Sequence, residues 1–200
     1  VYLYNTRNDE SKNRSDLLAM ASGQITKTFS VDSALQYNQS TKKMYSANLS
    51  TQWKPGPMKL LNAEYGYLRD ASSYYNRYSA AGLAGLISYY PDWDYMDYLY
   101  NNEIDQIHIS GQWPIGRRWY AVGQTSYSIP DHKSIENIFG VEYNADCWIF
   151  RLMAQRFVTS STESNTAFFF QLELKGLSRL GSNPLNALQR SIPGYEPLSP

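Results

Sequence analysis

The chain has 200 residues with 18 basic and 18 acidic side chains, one Cys and two His. Such balance gives no electrostatic case for nucleic acid, and a zinc site made from this chain alone is not expected. No run of about 18 apolar residues exists to form a membrane helix, while the polar mean hydropathy of -0.51 leaves a membrane β-barrel open, because barrel strands alternate lipid-facing and lumen-facing residues.

Val1 to Tyr4 reads as the end of a preceding strand, and 5–14 (NTRNDESKNR) as a charged connector. From Asp16 a period of two takes over, predicting strands at 16–25, 29–38, 44–54, 59–69, 103–113, 118–128, 134–143, 147–158 and 166–175. Phe29, Val31, Leu35 and Tyr37 oppose Ser30, Asp32, Gln36 and Asn38. Leu61, Ala63, Tyr65 and Tyr67 oppose Asn62, Glu64 and Gly66, and Ile107, Ile109 and Trp113 oppose Gln106, His108, Ser110 and Gln112. The strand at 118–128 is ambiguous, since Tyr120 and Val122 compete with Trp119, Ala121 and Tyr127 for the apolar side. The last strand puts Phe168, Phe170, Leu172 and Leu174 on one face and Phe169, Gln171, Glu173 and Lys175 on the other.

The connectors 26–28, 55–57, 115–117 and 144–146 are tight, whereas 39–43, 70–102, 129–133 and 159–165 read as longer. Alternating short and long links belong to an up-and-down barrel with short periplasmic turns and long outer loops. Trp53, Trp113, Trp119, Tyr143 and Trp148 cluster beside the tight turns, with Tyr37, Tyr67 and Tyr127 near the opposite ends. Two aromatic bands suit the two interfaces of a hydrocarbon slab. The expected fold is all-β: an antiparallel up-and-down transmembrane β-barrel segment of about nine strands from a larger barrel. A large soluble β-sandwich is the competing architecture. An odd strand count and an opening Val1 read as an internal piece of a longer protein.

Several stretches carry a family resemblance. Residues 109–119 (ISGQWPIGRRW), 140–143 (GVEY) leading into Cys147-Trp148, Arg151, Gln155-Arg156, and above all 169–178 (FFQLELKGLS) with Leu180-Gly181 resemble the LptD family of outer-membrane LPS-assembly proteins. The similarity covers most of 15–200 and is weakest in 70–102. It implies a very large barrel, localisation in the Gram-negative outer membrane, and lipopolysaccharide leaving sideways between the first and last strands. It also implies a lipoprotein plug, LptE, in the lumen and a periplasmic domain docked to an LptA bridge. One lip of the lateral gate is then the last strand, Phe168, Phe169, Phe170, Gln171, Leu172, Glu173, Leu174 and Lys175. Gln106, His108, Ser110, Gln112, Arg151 and Gln155 are expected to face the lumen, with Trp53, Trp113, Trp119, Tyr143 and Trp148 as the girdle. Where the family carries two adjacent Cys bridged to its periplasmic domain, this chain has Asp146-Cys147, so Cys147 is the expected partner in at most one inter-domain disulfide. On the residues alone, a buried free thiol is as reasonable.

His108-Ile109-Ser110 puts His and Ser on one strand face, as in outer-membrane phospholipases. Ile107 and Ile109 turn the pair inward, and no motif supplies an orienting Asn, so catalysis is not expected and no cofactor or metal is assigned. The 70–102 stretch is expected to be a Tyr-rich extracellular lid; attraction of divalent cations by Asp92, Asp94 and Asp97 is the alternative. Residues 1–175 are thus assigned to the barrel and 176–200 to a periplasmic tail, where Gly181, Pro184, Pro193 and Pro197 argue against a continuing strand. A passive porin-type channel is the alternative function.

Overall fold

The computed structural model describes residues 2–3, 16–39, 41–69, 103–145, 147–158, 164–174, 178–182 and 184–198. Within them lies one 11-stranded sheet in which each strand pairs with its neighbours in sequence. The strands are β1 (Tyr2–Leu3), β2 (Leu17–Thr26), β3 (Phe29–Asn38), β4 (Lys43–Gly56), β5 (Lys59–Leu68), β6 (Ile104–Pro114), β7 (Trp119–Ser128), β8 (Lys133–Ala145), β9 (Trp148–Val158), β10 (Ser164–Leu174) and β11 (Ser178–Gly181). One helix, α1 (Pro184–Ser191), follows β11. No helix among the described residues is long and apolar enough to cross a membrane.

Alternation in sequence becomes two faces in space. Across β5 to β8 one row reads Ala63, Ile109, Thr125, Asn137, and the next reads Glu64, His108, Ser126, Glu136. A slip of one residue in any pair would exchange the two rows, so the hydrophobic pattern pins the register. Phe168 is 75% exposed and Phe139 65% exposed on the outer face, whereas Gln171 at 2% and Ser126 at 0% are buried on the inner one. This inversion of the soluble rule, apolar side out and polar side in, is what a sheet needs when its outside meets lipid.

The apolar core also sits on the inner face, and the strands and the segment after β11 supply it together. Leu60, Val122, Ile138 and Met153 meet Leu188, Ile192 and Tyr195, with Phe169, Leu185 and Ala187 packed against them. Spacings of three and four residues put Leu185, Leu188 and Ile192 on one side of the helical turns. Pro184 begins the helix, where its missing N–H costs nothing, and Arg190 lies in the last turn, where a cation suits the dipole. Eight residues are too few for an isolated helix to persist in water. Burial of Leu188 and Ile192, about 1.5–3 kcal/mol each, holds it.

The structure changes four expectations. β7 is no longer ambiguous: Trp119, Ala121 and Tyr127 share the outer face, while Val122 turns inward because α1 and the residues after it give it apolar company. The strict alternation of short and long links fails at one place. The link 129–132 has four residues, the same as 115–118, because β8 begins at Lys133, whereas 39–42, also four, still exceeds the two-residue turns 27–28 and 57–58 on either side; Lys42 and His132 are in left-handed conformation. From β2 to β10 the link after β5, 69–103, is by far the longest, and that after β9, 159–163, is five residues; 70–102, with Asp92, Asp94 and Asp97, lies outside the described residues, as do Val1, Tyr4, 5–14, Asp146 and Lys175. The chain after Lys175 does form a strand, since β11 pairs with β10 from Leu174↔Ser178 to Gln171↔Gly181. Gly181 makes this possible with a φ of 104°, where a Cβ would collide with the Phe170 carbonyl. The lower edge of β10 therefore has its partner within this chain, although the sequence suggested an unpartnered lip.

Candidate functional site

The inner face carries two polar belts, one above the other. The upper one lies at mid-strand. His108 Nδ1 and Ser126 Oγ are 2.7 Å apart; Gln124 Nε2 donates to Ser126 Oγ (2.8 Å) and to Glu136 Oε2 (3.3 Å); Gln155 Nε2 donates to Glu136 Oε1 (2.6 Å). Ser110, beside His108, accepts from Asn62 Nδ2 at 3.2 Å. Ser126, not Ser110, is thus the hydroxyl on His108. It is wholly buried, which does not suit a nucleophile that must meet an ester.

The lower belt lies toward the tight turns and is centred on Arg151, 1% exposed. Its Nε donates to Glu142 Oε1 (2.9 Å) and its Nη1 to Glu173 Oε2 (2.8 Å), while its Nη2 donates to the Leu198 carbonyl (2.9 Å). One guanidinium so joins β8, β9, β10 and the tail. Charge-assisted forks of this kind are the strong hydrogen bonds of a dry interior. Glu142 also accepts from Tyr195 Oη at 2.6 Å. Burial, then the neighbouring Glu142 charge, pushes the Tyr195 phenol far above its usual pKa, so it stays a donor.

Residues 193–198 lie along this belt, turning at Gly194, and are held mainly through the main chain. The Pro193 carbonyl accepts from Asn62 Nδ2 (2.8 Å) and Gln52 Nε2 (3.3 Å). Gln112 grips Glu196 twice: its Nε2 donates to the Glu196 carbonyl (2.8 Å) and its Oε1 accepts from the Glu196 amide (3.1 Å). The Glu196 carboxylate accepts from Lys54 Nζ (2.6 Å) and from the Met58 amide (2.8 Å). Those two contacts, Lys54 first, hold it below the usual carboxylate pKa.

Of the residues expected to face the lumen, Gln106, Ser110, Gln112 and Arg151 are buried on the inner face, and His108 and Gln155 are half-buried there. The register brings the aromatic residues expected to form the girdle next to one another. Trp53 and Trp113 rings sit 5.8 Å apart, Trp119 and Tyr143 4.8 Å, and Tyr143 and Trp148 5.2 Å, with Lys59 Nζ 5.6 Å over the Trp113 ring. Cys147 stands at the tight turn below Trp148 as an exposed free thiol, not the buried one that a lone Cys suggests. On β10, Phe168, Phe170 and Leu174 are exposed outward, Leu172 is half-buried, Gln171 and Glu173 are buried inward, and Phe169 packs on the core.

Sequence reasoning missed Glu142, Ser126 and Tyr195. Glu142 was within reach: the tight turn between β8 and β9 pairs Ala145 with Trp148 and hence Glu142 with Arg151. Tyr195 and the tail carbonyls gave no signal, because a main-chain contact has no residue type to read.

An antiparallel meander with an apolar outer face, aromatic rings at the turn end and a polar inner face defines a segment of transmembrane β-barrel wall. A family model described as LptD, LPS transport system D, matches residues 1–119. The chain is 36% identical over 187 residues, 94% of its length, to the LPS-assembly protein LptD of Thiobacillus denitrificans, of which it covers 21%. It is 34% identical over 199 residues to that of Cupriavidus pinatubonensis (100% of this chain, 22% of the relative). Against that of Chromobacterium violaceum it is 37% identical over 182 residues (90% and 20%). The chain belongs to the LptD family. It spans about a fifth of the length of the curated relatives it matches.

Proposed function

We propose that this chain is part of the wall of an outer-membrane lipopolysaccharide translocon, in which the polar inner face carries the sugar and the seam beside β10 lets the acyl chains out into lipid. The observation that carries this reading is the two-sidedness of β10. Phe168, Phe170, Leu172 and Leu174 offer a surface for acyl chains, and Gln171 and Glu173, one residue away, offer a polar one. An amphipathic glycolipid needs both at one edge, and the upper part of β10, from Ser164 to Phe169, is paired only to β9 among the described residues. In this reading the tight turns are periplasmic and 70–102 is an outer lid. An LptE plug fills the remaining lumen, an LptA bridge docks on the periplasmic side, and Cys147 bonds to a periplasmic Cys of the complete protein. No catalytic step is involved.

The test is a disulfide, in the full-length protein, between β10 and the strand that closes the barrel against it. Locking the seam should stop lipopolysaccharide from reaching the cell surface, and reduction should restore it. Normal surface lipopolysaccharide with the seam locked would favour a porin-type channel with a closed wall.

A further inference from the structure

We infer that the C-terminal tail is a brace that makes β4 to β10 one rigid arc, so that β10 is the fixed side of the seam and the strand facing it is the side that moves. The last clause rests on the function proposed above; the brace itself does not.

A β-sheet is stiff along its strands and soft across them, because neighbouring strands twist relative to one another and each pair adds its own freedom. The tail runs in the soft direction. It leaves the sheet at β10, where Ser182 Oγ bonds both the amide and the carbonyl of Phe170, 3.0 Å each. The helix then lays Leu188 and Ile192 on Val122, Ile138 and Met153 of β7, β8 and β9. The following residues reach Gln52 of β4 and Asn62 of β5, turn at Gly194 (φ 80°), and come back past Gln112 and Glu142 to Arg151 of β9. Six inter-strand gaps of about 4.8 Å each, roughly 29 Å of arc, are tied by one short segment anchored at both ends and in the middle. β2, outside this arc, is exposed along most of its length.

At β10 the fixing is doubled. β11 occupies its lower edge from Gln171 to Leu174, and Arg151 holds Glu173 while itself tied to Glu142 and to Leu198. A strand pinned in this way moves only with the whole arc. When the seam parts, its lower half stays closed by β11, and the upper half is opened by displacement of the opposing strand.

The experiment uses the full-length protein in lipid vesicles, with nitroxides attached through p-acetylphenylalanine at Leu49 of β4 and Phe168 of β10, both exposed on the outer face. Pulsed dipolar spectroscopy should give one narrow distance, unchanged when lipopolysaccharide is being delivered to the protein. Truncation after Ser182 should abolish the narrow peak. The paired substitution Leu188→Ala with Ile192→Ala should broaden it, and serves if the truncated chain does not fold. A peak equally narrow without the tail's seat, or a distance that shifts on lipopolysaccharide delivery, overturns the brace. A seam-locking disulfide with no effect on surface lipopolysaccharide overturns the transport reading instead and leaves the brace standing.

Discussion

Arg151 is where single-residue chemistry matters most. It sits between two carboxylates in the driest part of the inner face, so removing it leaves Glu142 and Glu173 buried and facing each other without a cation. Breaking a buried pair costs about 3–5 kcal/mol. Arg151→Met should lower the unfolding free energy by that order, and Glu173→Gln, which leaves Glu142 to balance the guanidinium, by less; urea titration of the folded, heat-modifiable band on gels ranks them. An equal loss from both would mean that the network is not centred on Arg151. Glu196 gives a pH handle. Its folded pKa lies below the ordinary carboxylate value, so the tail is stabilised fully above that ordinary range and loses the contribution as pH falls through the folded value. The amides of Gly194, Tyr195, Glu196 and Leu198 should therefore lose protection, measured against their intrinsic exchange rates at each pH, on acidification, and Glu196→Gln should flatten that dependence. Protection that falls equally in the Gln variant would assign the effect to another group. Lys54 and Glu196 are both more than a third exposed, so salt should weaken the contact.

At the scale of elements, the nine long strands were legible because a period of two survives wherever one face meets lipid and the other meets polar groups. Their ends moved by up to two residues, as at Ser164 and Ala145. β11 was illegible for a physical reason: four residues hold too few alternations to read, and Gly181 looked like a strand breaker although its left-handed φ is what lets the pairing end against Phe170. Gly181→Ala forces a Cβ into that carbonyl at a positive φ, a strain of roughly 1–3 kcal/mol. It should release β11, and the amides of Leu172 and Leu174 should lose exchange protection while those of Phe150 and Leu152 keep theirs. Full protection at Leu172 in the variant would show that β11 is held by something other than this turn. The two faces of β10 offer a matched pair. Phe170→Arg places a charge on the outer face and should cost about 2–4 kcal/mol if that position lies near mid-bilayer. A deficit absent in detergent but present in lipid locates the cost in the hydrocarbon; equal deficits would place it in the protein.

Across the whole molecule, the path of the trailing segment was the part least legible in the sequence. The described tail packs on the inner face of the sheet, and nothing in a polar, Pro-rich 25-residue stretch says which surface will receive it. Receiving groups such as Gln52, Asn62 and Gln112 are equally compatible with a wet lumen. Cys147 shows the opposite balance: its place at a tight turn was predictable, and its exposure leaves it open to a partner. In the full-length protein, Cys147→Ser should abolish one mobility difference between reduced and non-reduced samples on gels; unchanged migration would mean that the thiol stays free.

The grip of Gln112 on Glu196 has a consequence for how this chain tolerates change. A main chain offers the same groups whatever side chains it bears, so the hold of Asn62, Gln52 and Gln112 on Pro193 and Glu196 does not depend on the side chains there, while Gly194, the buried Tyr195 and the Glu196 carboxylate add contacts of their own. Spacing enjoys no such freedom. Adding or removing one residue there would misalign the carbonyls beyond it from their donors at once, so this stretch is measured by its length more than by its spelling.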